Sequence, residues 1–500
     1  MTRYHSDDAI PTLSAALSES MRVDELKKLA RLIGTRVPSR KAEIVDHIVA
    51  YLEGEKLQHV WQGLDELQRA AVAEVVHSGD TVFDAQRFDA KYGQAPAWGS
   101  LDPYRDEEPT ALRFFFYADD IMPDDIKDRL AAFVPRPARV EVQSTEQLPR
   151  AHHRRFERWN DQTRQMEEGT ETILLAICET ARSAQQELLG VLRLVDAGQI
   201  RVSDKTRKPT AATVKAVSEL LVGGDYYPHE PPRDKYHDDN PGPMRAFAWP
   251  MIVQAGKLVQ LSGKRLQLTR SGRKALMAPA VDTIRALWSR WVDTTVLDEL
   301  SRIDCVKGQT GKGKRGLTAV SERRTAIRAT LGGCPQDRWI AIDELLRFMR
   351  AQGDDFAVTR DAWDLYIGDP QSGSLGYEGG ESILEDRYTL CLLLEYAATL
   401  GLLDVALIPP GGARDDYDDL WGTDDLPFFS RYDGLMYLRI NALGAYCLDM
   451  APTYTPAAVE VKSVLRVLPN LRISVLGDSE DAQEAVRSFL EKRQPVYKGR

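Results

Sequence analysis

Five hundred residues and 56.1 kDa exceed what one hydrophobic core ordinarily organises, so the chain is expected to hold about two to four domains. An apolar fraction of 43% supports folded domains, and a net charge of −10 excludes a protein coated in basic surface while leaving room for local basic patches. No run approaches the roughly 20 apolar residues that span a bilayer, and MTRYHSDDAIPTLSAALSES carries no apolar signal segment. These features predict a cytoplasmic protein with no membrane partner, nucleoid-associated in a bacterial cell. Cys178, Cys305, Cys334, Cys391 and Cys447 lack the close spacing of a zinc knuckle and read as reduced thiols.

In the first 60 residues, Leu26, Leu29 and Ile33 form one helical stripe, and Ile44, Ile48 and Leu52 form another. Gly34 releases the first helix, Pro38 breaks the chain, and Ser39 is placed to cap the second helix. Arg36, Arg40 and Lys41 fall on the connecting loop and the first turn of the second helix. Backbone N–H groups there also favour an anion, which suits a phosphate backbone without supplying base readout. The stretches VDELKKLARLIG and SRKAEIVDHIVAYL, with Val37 between them, resemble the SAP module, a small helix–loop–helix of DNA-associated proteins. The resemblance covers residues 21–54 and implies DNA contact through the loop. Ser39-Arg40 stands where that family usually has a glycine, and a helical docking module with a solvated loop is the competing reading.

Residues 61–145 predict a helical linker region. Leu64, Leu67 and Val72 supply a buried face, and AKYGQAPAWGSLDPYRDEEP is a loop punctuated by Gly and Pro. Phe114, Phe115, Phe116 and Tyr117 are adjacent, so they cannot share one face, and packing explains them better than base stacking. HHRRFERW predicts an exposed, charged helix, with no metal role for His152 or His153. The following TETILLAICETARSAQQELLGVLRLVDAGQI predicts helices, a turn at Gly198 and a short strand at Ile200 and Val202.

The chain then echoes itself. AGKLVQLSGKRLQLTRSGRKAL (255–276) compares with LGLLDVALIPP (400–410) followed by LMYLRINALGAYCL (435–448), each ending in a polar turn, Gly272 or Gly444, and a helix start. Residues 193–210 read as a third, incomplete relative. Alternation predicts a hairpin turning at Ser262-Gly263-Lys264-Arg265. Helices followed by such a hairpin form the winged-helix pattern, a relative of helix-turn-helix. The first such region is 165–290, and the second, 291–455, is interrupted by GGARDDYDDLWGTDDLPFF. The pattern ending at Gly272, LRINALG ending at Gly444, and LPNLRISV at 468–475 resemble the non-motor, N-terminal part of XPB/Ssl2-type helicase-associated proteins. That resemblance spans about residues 170–480 and implies a DNA-associated accessory role. The motor domains are absent from it, so no helicase activity is implied.

Three basic groups are candidate nucleic-acid contacts. Lys205, Arg207 and Lys208 form one, and Lys264 and Arg265 on the first wing form another, with Arg270, Arg273 and Lys274 following. The third runs from Lys307 to Arg328, where Lys312, Lys314, Arg315, Arg323 and Arg324 contribute to seven basic residues against Glu322 alone. A duplex backbone rewards such grouping. Within it GQTGKGKRG has the G-x-x-x-x-G-K spacing at Gly308, Gly313 and Lys314, but Arg315 replaces the Ser or Thr that would hold magnesium, so a flexible basic loop is expected. Asp415, Asp416, Asp418, Asp419, Asp424 and Asp425 would repel DNA and suit a basic protein partner or a solvated loop. Residues 456–500 predict a strand–helix extension whose strand needs a partner.

No nucleophile elbow, zinc helix or dinucleotide fingerprint is present in the sequence, and no residue is assigned as catalytic, metal-binding or cofactor-binding. The expected fold is mainly α with small β-hairpins: a SAP-like helix–loop–helix, two winged-helix-like units and a C-terminal strand–helix segment. The expected function is a non-catalytic adaptor that binds DNA, in duplex form, within a DNA-processing or genome-defence complex. Protein partners are expected at the acidic insertion or the C-terminal strand. The alternatives are a protein-only scaffold and a metal-dependent nuclease with a composite site.

Overall fold

Among the described residues of the N-terminal third, short amphipathic segments separated by Gly, Pro and Asp build seven α-helices: α1 (Leu13–Ser20), α2 (Val23–Arg31), α3 (Lys41–Tyr51), α4 (Glu55–Gln62), α5 (Glu66–Val76), α6 (Ala85–Tyr92) and α7 (Asp124–Ala131). The computed structural model describes residues 10–160, 164–228, 240–377, 380–424, 426–456, 464–467 and 473–476. Leu26, Leu29, Ile44 and Ile48 are buried in one cluster with Phe114, Phe115, Phe116 and Tyr117. The aromatic run is therefore core, and the Tyr117 hydroxyl donates to the Phe114 carbonyl at 2.9 Å. Asp65 and Gln68 form a reciprocal capping box at the start of α5. The expected cap of α3 differs: the helix begins one residue later, so Arg40, not Ser39, precedes it, and no side chain caps it.

The charged stretch HHRRFERW is a strand, not a helix. β1 (Ala151–Asn160) pairs antiparallel with β2 (Gln165–Leu174) over ten residues, from Ala151↔Leu174 to Asn160↔Gln165. The β-branched Thr170, Thr172 and Ile173 favour the extended partner strand, and cross-strand pairing overrides local helix preference. A short strand, β3 (Ala176–Cys178), follows.

Next come α8 (Ala181–Asp196), α9 (Ala211–Ser218), α10 (Arg245–Ala255), β4 (Val259–Ser262), β5 (Arg265–Leu268), α11 (Arg270–Ala275) and α12 (Ala280–Asp293). Between α8 and α9 the extended residues Ile200 to Val202 join the hairpin edge. Leu266 N–H donates to the Ile200 carbonyl, and Val202 N–H donates to the Lys264 carbonyl, each at 3.0 Å. Residues 193–210 are thus no third copy, since they contribute the last turns of α8 and the extra strand on β5. Gly263 turns the β4–β5 hairpin at φ 62°, the left-handed region that tight hairpin connections require.

The remainder holds β6 (Val306–Lys307), α13 (Lys312–Gly316), α14 (Val320–Gly332), β7 (Trp339–Ala341), α15 (Ile342–Gln352), β8 (Tyr366–Ile367), α16 (Gly380–Cys391) running into a π-helical segment (Leu392–Ala398), β9 (Leu403–Leu407), β10 (Leu435–Ile440) and α17 (Ala442–Cys447). A four-stranded sheet has the order β3-β9-β10-β7. The succession helix, strand, two helices, hairpin, short helix thus occurs twice. At Gly272 a Cβ would overlap the Leu258 carbonyl oxygen, and at Gly444 the Leu402 carbonyl oxygen. Thr269 accepts from the Gly272 N–H, and Asn441 accepts from the Gly444 N–H. The sequence echo therefore corresponds to one repeated local geometry. The two regions are not separate in space, because β3 pairs with β9.

The chain divides into two compact units, Met1–Pro452 and Thr453–Arg500. In the second, β11 (Val464–Val467) pairs antiparallel with β12 (Ile473–Leu476). The helix expected after it lies outside the described residues. The fold is a mixed α/β arrangement of many helices with short antiparallel strand pairs. No helix among the described residues is long and apolar enough to cross a membrane.

Candidate nucleic-acid interface

The β4–β5 hairpin separates its residues by face. Val259, Leu266 and Leu268 are buried, whereas Gln260 and Gln267 are exposed and lie directly opposite each other. Lys264 and Arg265 are exposed at the tip. The turn at 203–208 is closed by Ser203 N–H donating to the Lys208 carbonyl at 2.9 Å. It is tied to the tip through the Val202–Lys264 bond, which brings Lys205, Arg207 and Lys208 beside the wing. Lys205 and Arg207 are exposed, and Lys208 is half-buried. Burial, and then the Arg302 charge, lower the Lys208 amine from its ordinary value, against Asp304 and Glu395.

At the hairpin base Lys257, Arg270, Arg273 and Lys274 are exposed. Residues 200–215 and 256–275 together hold eleven basic side chains and one acid, Asp204. None of the eleven is in an ion pair among the described residues. The result is a two-stranded ribbon with an uncharged polar centre and positive ends, embedded in a chain of net charge −10.

The helix before this hairpin is closed to a groove. All of α10 except Gln254 is buried. Glu187 holds it by an ion pair to Arg245 and by accepting from the Trp249 indole N–H at 2.9 Å. Contact through a recognition helix is thereby removed, and the hairpin with its neighbouring turn is what this region presents.

The other predicted basic residues divide sharply. In the N-terminal loop Arg36 is exposed, and Arg40 is exposed with a loose 3.7 Å pairing to Glu43. Lys41 turns back and donates to the Ser18 carbonyl at 2.7 Å, so it serves α1 instead of the loop. Lys312, Lys314 and Arg315 are exposed, with Lys312 paired to Asp364 at 2.8 Å. This segment is folded, not a loose loop. β6 pairs with β8, and a Cβ at Gly308 would overlap the Asp364 carbonyl oxygen, so the glycine permits a chain crossing.

Arg323 and Arg324 correct the sequence expectation outright, both being 0% exposed. Arg323 makes two bonds to Asp298, at 2.9 and 3.0 Å. Arg324 pairs with Glu299 at 2.9 Å and donates to the Leu297 carbonyl at 2.8 Å. Two signals pointed that way: Arg324 shares a helical stripe with Ile327 and Leu331, and an acidic pair, Asp298-Glu299, precedes it in the chain.

The acidic insertion is partly built in. Asp416 makes two bonds, at 2.6 and 2.5 Å, to the fully buried Arg387, which also pairs with Asp433. These bonds hold the Asp416 carboxyl below its ordinary value despite burial. Asp415, Asp418, Asp419 and Asp424 are exposed, and Asp425 lies outside the described residues. Among the described residues no group of three or more His, Cys, Asp or Glu side chains could hold a metal ion. No protein-family model, curated protein or solved structure matches the chain.

Proposed function

We propose that the chain is a non-catalytic DNA-binding adaptor that lays the outward face of the β4–β5 hairpin and the adjoining 203–208 turn on a duplex backbone. The observation that carries this reading is the ratio of eleven basic residues to one acid over two stretches joined by the Val202–Lys264 bond. Grouped cations release condensed counterions from a phosphate backbone, and that gain grows with each phosphate neutralised. Gln260 and Gln267 are suited to hydrogen-bond base edges or phosphates between the positive ends. The twofold succession of helix, strand, two helices and hairpin supports a winged-helix-like reading of both regions, in which only the first wing is basic. The exposed Arg36 and Arg40 support a weaker accessory contact from a SAP-like N-terminal module, and linked weak sites raise total affinity. The exposed aspartates of the insertion and the β11–β12 strand pair are proposed for protein partners, in a cytoplasmic, nucleoid-associated complex.

The test is fluorescence anisotropy with labelled duplex DNA at two salt concentrations, comparing the full chain with a Lys205→Glu, Lys264→Glu, Arg265→Glu variant. The expected outcome is at least about tenfold weaker binding, with a salt slope reduced by about 0.9 for each phosphate that the variant leaves unneutralised. Arg36→Ala with Arg40→Ala is expected to cost less. Unchanged affinity in the wing variant would overturn this interface, and absence of binding by the folded wild type would leave a protein-only scaffold.

A further inference from the structure

We infer that a second surface, centred on Trp363, binds an unpaired DNA strand by stacking a base on the indole. The inference shares only the class of ligand with the preceding reading and rests on different residues. Residues 363–377 form a tight hairpin in which Leu375 N–H donates to the Leu365 carbonyl and Ile367 N–H donates to the Gly373 carbonyl, each at 2.9 Å. Trp363 and Tyr377 meet across its open end, ring centroids 4.9 Å apart and nearly edge to face at 69°. They remain 57% and 50% exposed, unusual for side chains of this size.

The indole is presented in a defined orientation. A Cβ on Gly376 would lie 2.5 to 2.7 Å from three indole ring atoms, so one face of Trp363 rests on that glycine. Tyr377 braces an edge. The exposed area therefore belongs to the opposite face, which is held flat and open.

A basic segment adjoins it. Arg360 N–H donates to the Gly316 carbonyl at 2.8 Å, and the Lys312–Asp364 pair joins the same two segments. Lys312, Lys314, Arg315 and Arg360 are all exposed. Residues 306–316 and 359–377 together carry five basic residues and three acids. Each acid is engaged: Asp364 by Lys312, Asp361 by accepting from the Trp363 backbone N–H at 3.1 Å, and Asp369 by accepting from the Gln371 N–H at 2.6 Å. An open aromatic face beside exposed cations is what a single strand requires, since every base has a face to stack and every phosphate a charge. A duplex keeps its bases stacked on one another and gains only the charges. The chain would then prefer a substrate with a duplex segment beside an unpaired one.

The experiment is anisotropy of labelled 15-mer oligo(dT) and of a blunt duplex, with full-length protein. Trp363→Ala with Tyr377→Ala is expected to weaken oligo(dT) binding roughly tenfold or more and duplex binding less than about twofold. Trp363→Phe, which keeps a ring, is expected to retain most of the affinity. If the double variant melts below wild type, Lys314→Glu with Arg315→Glu replaces it and is expected to lower both oligo(dT) affinity and its salt slope. Unchanged oligo(dT) binding in a folded variant, or equal losses on both DNAs, would overturn the inference. Loss of oligo(dT) binding here, alongside a wing variant with normal duplex binding, would sustain this site and refute the wing.

Discussion

At the scale of single residues, Arg324 shows how far charge counting misleads. It belongs to a basic run by sequence, yet it neutralises Glu299 in a fully buried pair that also receives the Trp291 indole N–H and the Tyr388 hydroxyl. Removing one partner of such a pair strands the other charge away from water, at a cost of about 3–5 kcal/mol. Arg324→Met is therefore expected to lower stability by that amount in urea denaturation, with DNA affinity of the folded fraction unchanged. The glycines behave in the opposite way, because their role was visible in the repeated pattern before any geometry. Gly272→Ala and Gly444→Ala each force a Cβ onto a backbone oxygen, and each is expected to destabilise by about 1–3 kcal/mol. Gly332→Ala, where nothing lies within 4 Å, is the control and is expected to be neutral or slightly stabilising.

At the scale of elements, the hairpin β4–β5 was legible because alternation and a Gly turn encode it locally. The ten-residue β1–β2 hairpin was not, since its charged strand has no alternation of polarity and takes its form from the partner strand. The candidate site was likewise half legible. Both basic groups were evident, but their adjacency depends on the 200–202 strand joining β5, a pairing across some sixty residues that local pattern does not specify. The aromatic surface was missed because Trp363 and Tyr377 are fourteen apart and meet only when their hairpin closes. Helix α16 offers a pH test at this scale. Burial, followed by the charges of Asp355 and Asp386, raises the Glu385 carboxyl from 4.5 to about 8, against the opposing Arg350. The folded state then holds a proton that the unfolded state has released between pH 4.5 and about 8. This group's contribution to stability is full below that window and is lost as pH rises through it. Thermal melts from pH 5 to 8.5 are expected to show this decline in the wild type and a flatter profile in Glu385→Gln.

At the scale of the whole molecule, β3 and α8 start a region whose completion lies far along the chain. Thr180 caps this junction by donating its N–H to Asp404 at 3.0 Å, 224 residues away, and its hydroxyl donates to the Leu403 carbonyl. A ribosome adds roughly 5–20 residues per second, so β3 waits on the order of 10–45 s for β9 to emerge. Through that interval the side of α10 that packs on the π-helical segment, buried in the finished fold, has no cover from it. The nascent chain is thus expected to pass through a long-lived, adhesive intermediate, and its yield in a cell to follow holdase supply and growth temperature more closely than the final stability of the fold.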